Sequence, residues 1–186
     1  MQTVRTPAVA GLFYPADAAE LQTQVRGFLD QVEPPVEPPP KAIIVPHAGY
    51  IYSGPIAASA YARLRAARDT IHRVVLLGPS HRVGFRGIAV SGMEAFATPL
   101  GRIAVDREAV EQLEQLPDVG FLEQAHAQEH SLEVHLPFLQ EVLGHFKLVP
   151  LVVGEARPTE VGAVLEALWG GPETLIVISS DLSHYL

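Results

Sequence analysis

The sequence predicts an α/β fold with a mainly parallel sheet covered on both faces. Three features carry that expectation. Its apolar runs, such as Ala42 to Val45 and Leu148 to Val153, lack the apolar–polar alternation of a half-exposed strand. Segments with helical spacing separate them. Three of the runs then end in polar loops: PHAGYIYSG after Val45, PSH after Gly78 and SSDLSHY after Ile178. In open parallel sheets, strand carboxyl ends form the ligand crevice.

Each element follows in order. Residues 15–32 read as a helix, because Leu21, Val25, Phe28 and Val32 recur at helical spacing. The segment EPPVEPPPK follows, and its prolines favour an extended polyproline path that wraps a surface. AIIVP (Ala42 to Pro46) is a strand, and a helix from about Pro55 to Ala67 comes after its glycine-bearing loop. HRVVLLG (His72 to Gly78) is the second strand. GIAVSG and GRIAV read as shorter strands joined through the turn Thr98 to Gly101. Asp106 is placed to cap a polar helix reaching Gln115. Ser131 to Leu143 carries a leucine stripe, in which Pro137 marks a kink or a first turn. FKLVPLVVG is a strand, Thr159 to Trp169 a helix with Pro158 near its start, and TLIVISS (Thr174 to Ser180) the last strand.

The bulk properties exclude several classes. The 186 residues favour one domain spanning 1–186. No apolar run approaches the ~20 residues of a membrane helix, and MQTVRTPAVAG lacks the layout of a signal peptide. A net charge of −8 argues against nucleic acid and anionic membrane as partners. Cysteine is absent, which removes thiolate ligands and nucleophiles and fits a cytoplasmic setting. There is no GxSxG elbow, no GxGxxG after a strand and no Walker loop.

Histidine placement is the most informative feature. His47, His81 and His184 each follow a strand end, and Asp181 precedes His184 by three. Imidazole is the commonest metal ligand, and an Asp–His pair supplies a ligand or an acid/base couple. Gly49 and Gly54 would let the backbone turn tightly around such a site, with Tyr50 and Ser80 beside it. The stretch HAQEHSLEVH adds His126, Glu129, His130, Glu133 and His135. Its four- and three-residue spacings would put His126 with His130, and His130 with Glu133, on one helical face. The plainer reading of the same stretch is a polar helix start with acidic residues favoured by the dipole. His72 and His145 look ordinary.

The ordered series RTPAVAGLFYPAD, PHAGYIYSGPIAASAY, LLGPSHR, TPLG, EHSLEVHLPFLQ and SSDLSHY runs from Arg5 to Tyr185 and resembles the Memo-like family. Its bacterial and archaeal members are called AmmeMemoRadiSam system protein B. The resemblance implies a three-layer α/β/α fold similar to class III extradiol ring-cleavage dioxygenases of the LigB type. Those enzymes hold non-haem Fe(II) with two histidines and a carboxylate. Carried over by motif, His47 and His81 would be metal ligands, with Fe(II) first and zinc or copper as alternatives. Asp181 and His184 would line the pocket, His184 as acid/base, and His130 and Glu129 would sit in or beside it.

The resemblance also implies a small aromatic molecule or a peptide as the bound partner. Three activities stay open: a dioxygenase-type oxidoreductase, a non-enzymatic peptide- or metal-binding module, and a metal-dependent hydrolase. Family members continue for roughly a further third past SSDLSHY, within the usual domain size range, and bring a cysteine ligand from there. This sequence stops two residues after His184. An open sheet edge is therefore expected, closed by a second copy or by a complementing C-terminal fragment.

Overall fold

A computed structural model of the chain describes residues 3–182. In chain order the elements are β1 (Val4–Arg5), α1 (Ala18–Asp30), β2 (Ala42–Val45), α2 (Tyr50–Tyr61), β3 (Arg73–Pro79), β4 (Ile88–Val90), β5 (Ala95–Thr98) and β6 (Gly101–Ala104). They continue with α3 (Arg107–Leu113), β7 (Val119–Phe121), α4 (Glu123–Ala127), α5 (His130–Glu133), α6 (Leu136–Val142), β8 (Lys147–Val153), α7 (Pro158–Leu168) and β9 (Thr174–Ser179). A 3₁₀ segment, Ala62–Ala67, prolongs α2. No described helix is long and apolar enough to cross a membrane.

The main sheet has six strands in the order β2-β9-β3-β8-β4-β7. All its pairings are parallel except β4 with β8. Helices flank it in an α/β/α arrangement: α1, α2 and α6 pack on one another, and α3 packs on α7. Val74–Leu77 of β3 and Leu148, Val149, Leu151 and Val152 of β8 are buried, as unalternated runs in a doubly covered sheet should be. β2, β9 and β3 are neighbours, so their carboxyl ends open side by side.

Several boundaries differ from the sequence expectations, for physical reasons. α2 begins at Tyr50, with Gly49 as its N-cap, and not near Pro55, which lies inside the helix. Gly54 lies in that helix rather than in a turn. A Cβ there would strike the Phe28 ring, so the glycine serves α1–α2 packing. Gly49 has an ordinary φ of −58° as the α2 N-cap. The turn at Thr98 to Gly101 joins β6 to β5, a strand missing from the sequence expectation, and not to β4. β5 and β6 form a separate sheet with β1, in the order β1-β5-β6. The Ser131–Leu143 stretch splits into α5 and α6, with Pro137 in the first turn of α6. Asp106 caps α3, accepting from the Ala109 amide at 3.3 Å. Prolines 34, 35, 38 and 39 carry no regular structure, and Val36 between them is fully exposed.

A buried ion pair fastens the N-terminal segment over the sheet's carboxyl end. Glu133, fully buried, accepts from the Arg5 guanidinium, from the Ala8 and Val9 amides at 2.8 and 3.0 Å, and from the Tyr14 hydroxyl at 2.6 Å. Arg5 also donates to the carbonyls of His126 (3.1 Å) and Glu129 (2.8 Å). Glu133 does lie in the first turn of α5, as the dipole reading has it, but it is buried and each of its oxygens has donors of its own. Removing one partner of such a pair leaves the other charged and dry, which costs about 3–5 kcal/mol. Glu133→Ala should lower the free energy of unfolding in urea by that amount. A loss below about 1 kcal/mol would show that the network contributes little.

Candidate metal centre

The site starts with His47, two residues past β2. Its amide donates to Asp181 Oδ1 at 2.7 Å, and Asp181 itself lies just past β9, the neighbouring strand. The His47 Nδ1 stands 2.7 Å from Ser179 Oγ, and that hydroxyl donates to the Ser131 carbonyl at 2.6 Å. A serine hydroxyl has one proton. With that proton given to Ser131, the hydroxyl accepts from His47 Nδ1–H. The tautomer is then fixed, and Nε2 keeps its lone pair. That Nε2 is buried with no hydrogen-bond partner among the described residues, and it sits 3.6 Å from Asp181 Oδ2. Burial depresses the His47 pKa to about 4, against a smaller upward pull from Asp181, so the ring is neutral near pH 7.

His81 is set by a different partner. Its amide and its Nδ1 donate to Glu129 Oε2 and Oε1 at 2.7 and 2.9 Å. A carboxylate facing an imidazole fixes the Nδ1–H tautomer and leaves Nε2 as the ligand atom. Glu129 also accepts from the His130 and Ser131 amides at 2.9 and 3.0 Å, as the cap of α5. Burial alone would raise its pKa, but the His81 and Ser131 bonds outweigh burial and lower it, so the carboxylate is ionised.

α5 approaches β3 closely because Gly78 lacks a Cβ. One placed there would stand 2.8 Å from both Leu132 Cδ2 and Ser131 Oγ. That approach carries His130 over the strand end. Its ring stacks on His81 with centroids 4.5 Å apart, and Phe13 covers it at 4.7 Å. His130 Nδ1 is buried, 3.3 Å from Glu129 Oε1 but not aligned for a hydrogen bond. Burial lowers its pKa as well.

One nitrogen from each of His47, His81 and His130 lies within 4.8 Å of the others. At metal–nitrogen distances of ~2.1 Å, coordinated nitrogens stand roughly 3.0–3.5 Å apart. A closure of about an ångström would therefore bring all three onto one ion. The donor set fits: burial favours the neutral form of His47 and His130, His47 and His81 have tautomers fixed by a hydroxyl or carboxylate, and the buried Nε2 of His47 has no other partner among the described residues. His81 is exposed, so the site opens to solvent.

The other sequence candidates fall elsewhere. Tyr50 is buried in the aromatic core, its hydroxyl donating to the Val134 carbonyl at 2.6 Å, and Ser80 Oγ donates to the Val83 carbonyl, also at 2.6 Å. His126 and His130 occupy different helices, α4 and α5, so they share no helical face. His126 Nε2–H donates to the Ala89 carbonyl at 3.0 Å, and His135 Nδ1 is 2.8 Å from the Tyr61 hydroxyl. Both rings are core groups. His184 lies outside the described residues. Ser179 and Phe13 are the neighbours the sequence did not disclose. One is an ordinary strand-end serine, and the other is distant in the chain.

A family model described as Memo-like protein matches residues 5–186. Among curated relatives, a "MEMO1 family protein" of Aquifex aeolicus is 43% identical over 187 residues, 98% of this chain and 68% of the relative. Another of Thermotoga neapolitana is 40% identical, covering 98% of this chain and 71% of the relative. A third of Sulfolobus acidocaldarius is 38% identical, at 98% and 70%.

Burial pushes three histidines down together: His47 and His126 to about 4, His135 to about 3. In the unfolded chain each titrates near 6.5. Between those values the unfolded state binds more protons than the folded one. Their contribution is thus fully present above about pH 6.5 and is lost as pH falls toward 4. Denaturant titrations at pH 7 and pH 5 should differ by on the order of 2 kcal/mol per histidine. A stability flat across that interval would mean these rings are not held neutral.

Proposed function

The chain belongs to the Memo-like family, and from that premise we propose that it is a non-haem metal protein of the extradiol-dioxygenase type acting on a small aromatic substrate. The observation that supports this most is the group of His47, His81 and His130 nitrogens at the carboxyl ends of β2 and β3. Fe(II) is the metal this reading favours, since imidazole donors with open positions suit oxygen-activating non-haem iron. Bound there, the ion would supply coordination positions for a catecholate and for O₂.

The protein's own groups do the rest. Glu129 and Ser179 hold His81 and His47 in the tautomers that present Nε2. Asp181, half-buried beside His47, is an acceptor for a proton released by a phenol. Phe13 shields His130 from solvent, which strengthens electrostatic interactions inside the site. By resemblance, His184 is the proposed acid/base. A second reading, a peptide-binding module, draws support from Leu12, Ile51 and Tyr52, which are exposed near the His47 loop.

Anaerobic Fe(II) titration with metal analysis tests the proposal. His47→Ala, His81→Ala and His130→Ala should each weaken binding by more than 100-fold. Glu129→Gln should weaken it by about 10–100-fold, as loss of a ligand's orienting partner does. Oxygen uptake with catechols should follow metal content. Unchanged affinity in His130→Ala would remove that residue from the ligand set. Full metal loading with no oxygen uptake would favour the binding module.

A further inference from the structure

The amino ends of the same strands hold a second site. A cleft of about 810 Å³ opens where β3, β8 and β9 begin, opposite the histidine group, with β6 and the α6–β8 loop as its other walls. Its volume is within the ~300–1,000 Å³ range of small-molecule sites. Arg73, Arg102, Lys147, His72, His145 and Gln140 face it. Three of these, Arg73, Arg102 and Lys147, are cationic, in a chain of net charge −8.

The two carboxylates on its wall are already engaged. Asp106 caps α3 and accepts from Arg73 Nε at 2.8 Å, and Glu173 accepts from the Gly171 amide at 2.9 Å and the Thr174 hydroxyl at 3.0 Å. Of the three cations, Arg73 is paired with that Asp106. Among the described residues, neither Arg102 nor Lys147 has a side-chain hydrogen bond or ion pair, and Arg73 uses only its Nε, so both its Nη groups remain donors. Gln140 accepts from the Thr98 hydroxyl at 2.6 Å, which fixes its amide and leaves Nε2 to donate. Leu100, Ile103 and Phe146 supply an apolar wall.

We propose that this cleft binds a small organic phosphate. Arg73, Arg102 and Lys147 outnumber the two carboxylates on the wall, and the Arg102 and Lys147 side chains, unpaired among the described residues, offer two charges to the two of a phosphate. Guanidinium forks also match phosphate oxygens in pairs. The apolar wall would take the organic part of the ligand. This site is independent of the histidine group at the other end of the sheet.

Calorimetric titration with inorganic pyrophosphate at fixed ionic strength tests it, alongside amide and imidazole NMR shifts. One saturable equivalent should bind, moving signals of His72, Gly144 and His145 but not of His81 or Glu129. Arg102→Glu and Lys147→Glu should each weaken binding at least tenfold. Arg86→Glu, an equal charge change on the exposed loop before β4, should not. Should a charge reversal impair folding, Arg102→Gln and Lys147→Gln replace it and should still weaken binding severalfold. Non-saturable binding, equal weakening by Arg86→Glu, or shifts centred on His81 would overturn the proposal. Citrate binding more tightly than pyrophosphate would overturn the choice of phosphate.

Discussion

The carboxyl end of the sheet depends on one ionised carboxylate, that of Glu129. It is almost wholly buried, and donors from two elements meet it: the amide and ring of His81 after β3, and the amides of His130 and Ser131 at the start of α5. A buried carboxylate without such donors would be protonated or expelled. With them it welds the loop after β3 to the turn before α5, and so holds His81 against His130. The Ser131 carbonyl accepts a hydrogen bond from the Ser179 hydroxyl, which in turn accepts from His47 Nδ1–H and so sets that ring. The three imidazoles are coupled through two residues, Glu129 and Ser131, both at the head of one four-residue helix.

A helix of that length cannot stand alone in water. What secures α5 is packing from outside it. Gly78 lets it sit on β3, and Glu133 at its far end is held by Arg5 and the turn at Ala8 to Tyr14. The N-terminal strand therefore has a role in the site even though it is two residues long and belongs to another sheet. This division puts fixed polar bonds at one end of the strands. At the opposite end, the side chains of Arg102 and Lys147 have no bonds among the described residues.

What could be read in the sequence was what local pattern encodes. The long buried strands β3, β8 and β9 announce themselves as unbroken apolar runs, and Asp106 as a cap before a polar helix. The histidines after β2 and β3 were visible because strand ends and polar loops are both local signals. β1, β5 and β7 were not: VR, AFAT and VGF are short and, unlike AIIV of β2 or IAV of β4, hold no pair of β-branched aliphatic residues. The partners and burial of Glu129 and Glu133 were hidden for another reason. Their partners His81 and Arg5 are 48 and 128 positions away, so a buried acid there looks like an exposed one. The apparent helical spacing of His126 and His130 misled because the chain breaks between them, where Glu129 leaves the helix to cap the next one.

X-ray absorption at the metal edge of Fe(II)-loaded protein tests the shared histidine site most directly, because it counts ligands without reference to activity. The account predicts three imidazole nitrogens at about 2.1 Å, with the multiple-scattering pattern of histidine rings and the remaining positions filled by oxygen. A spectrum with one imidazole or none would contradict it: the three rings would then be packed together without sharing an ion.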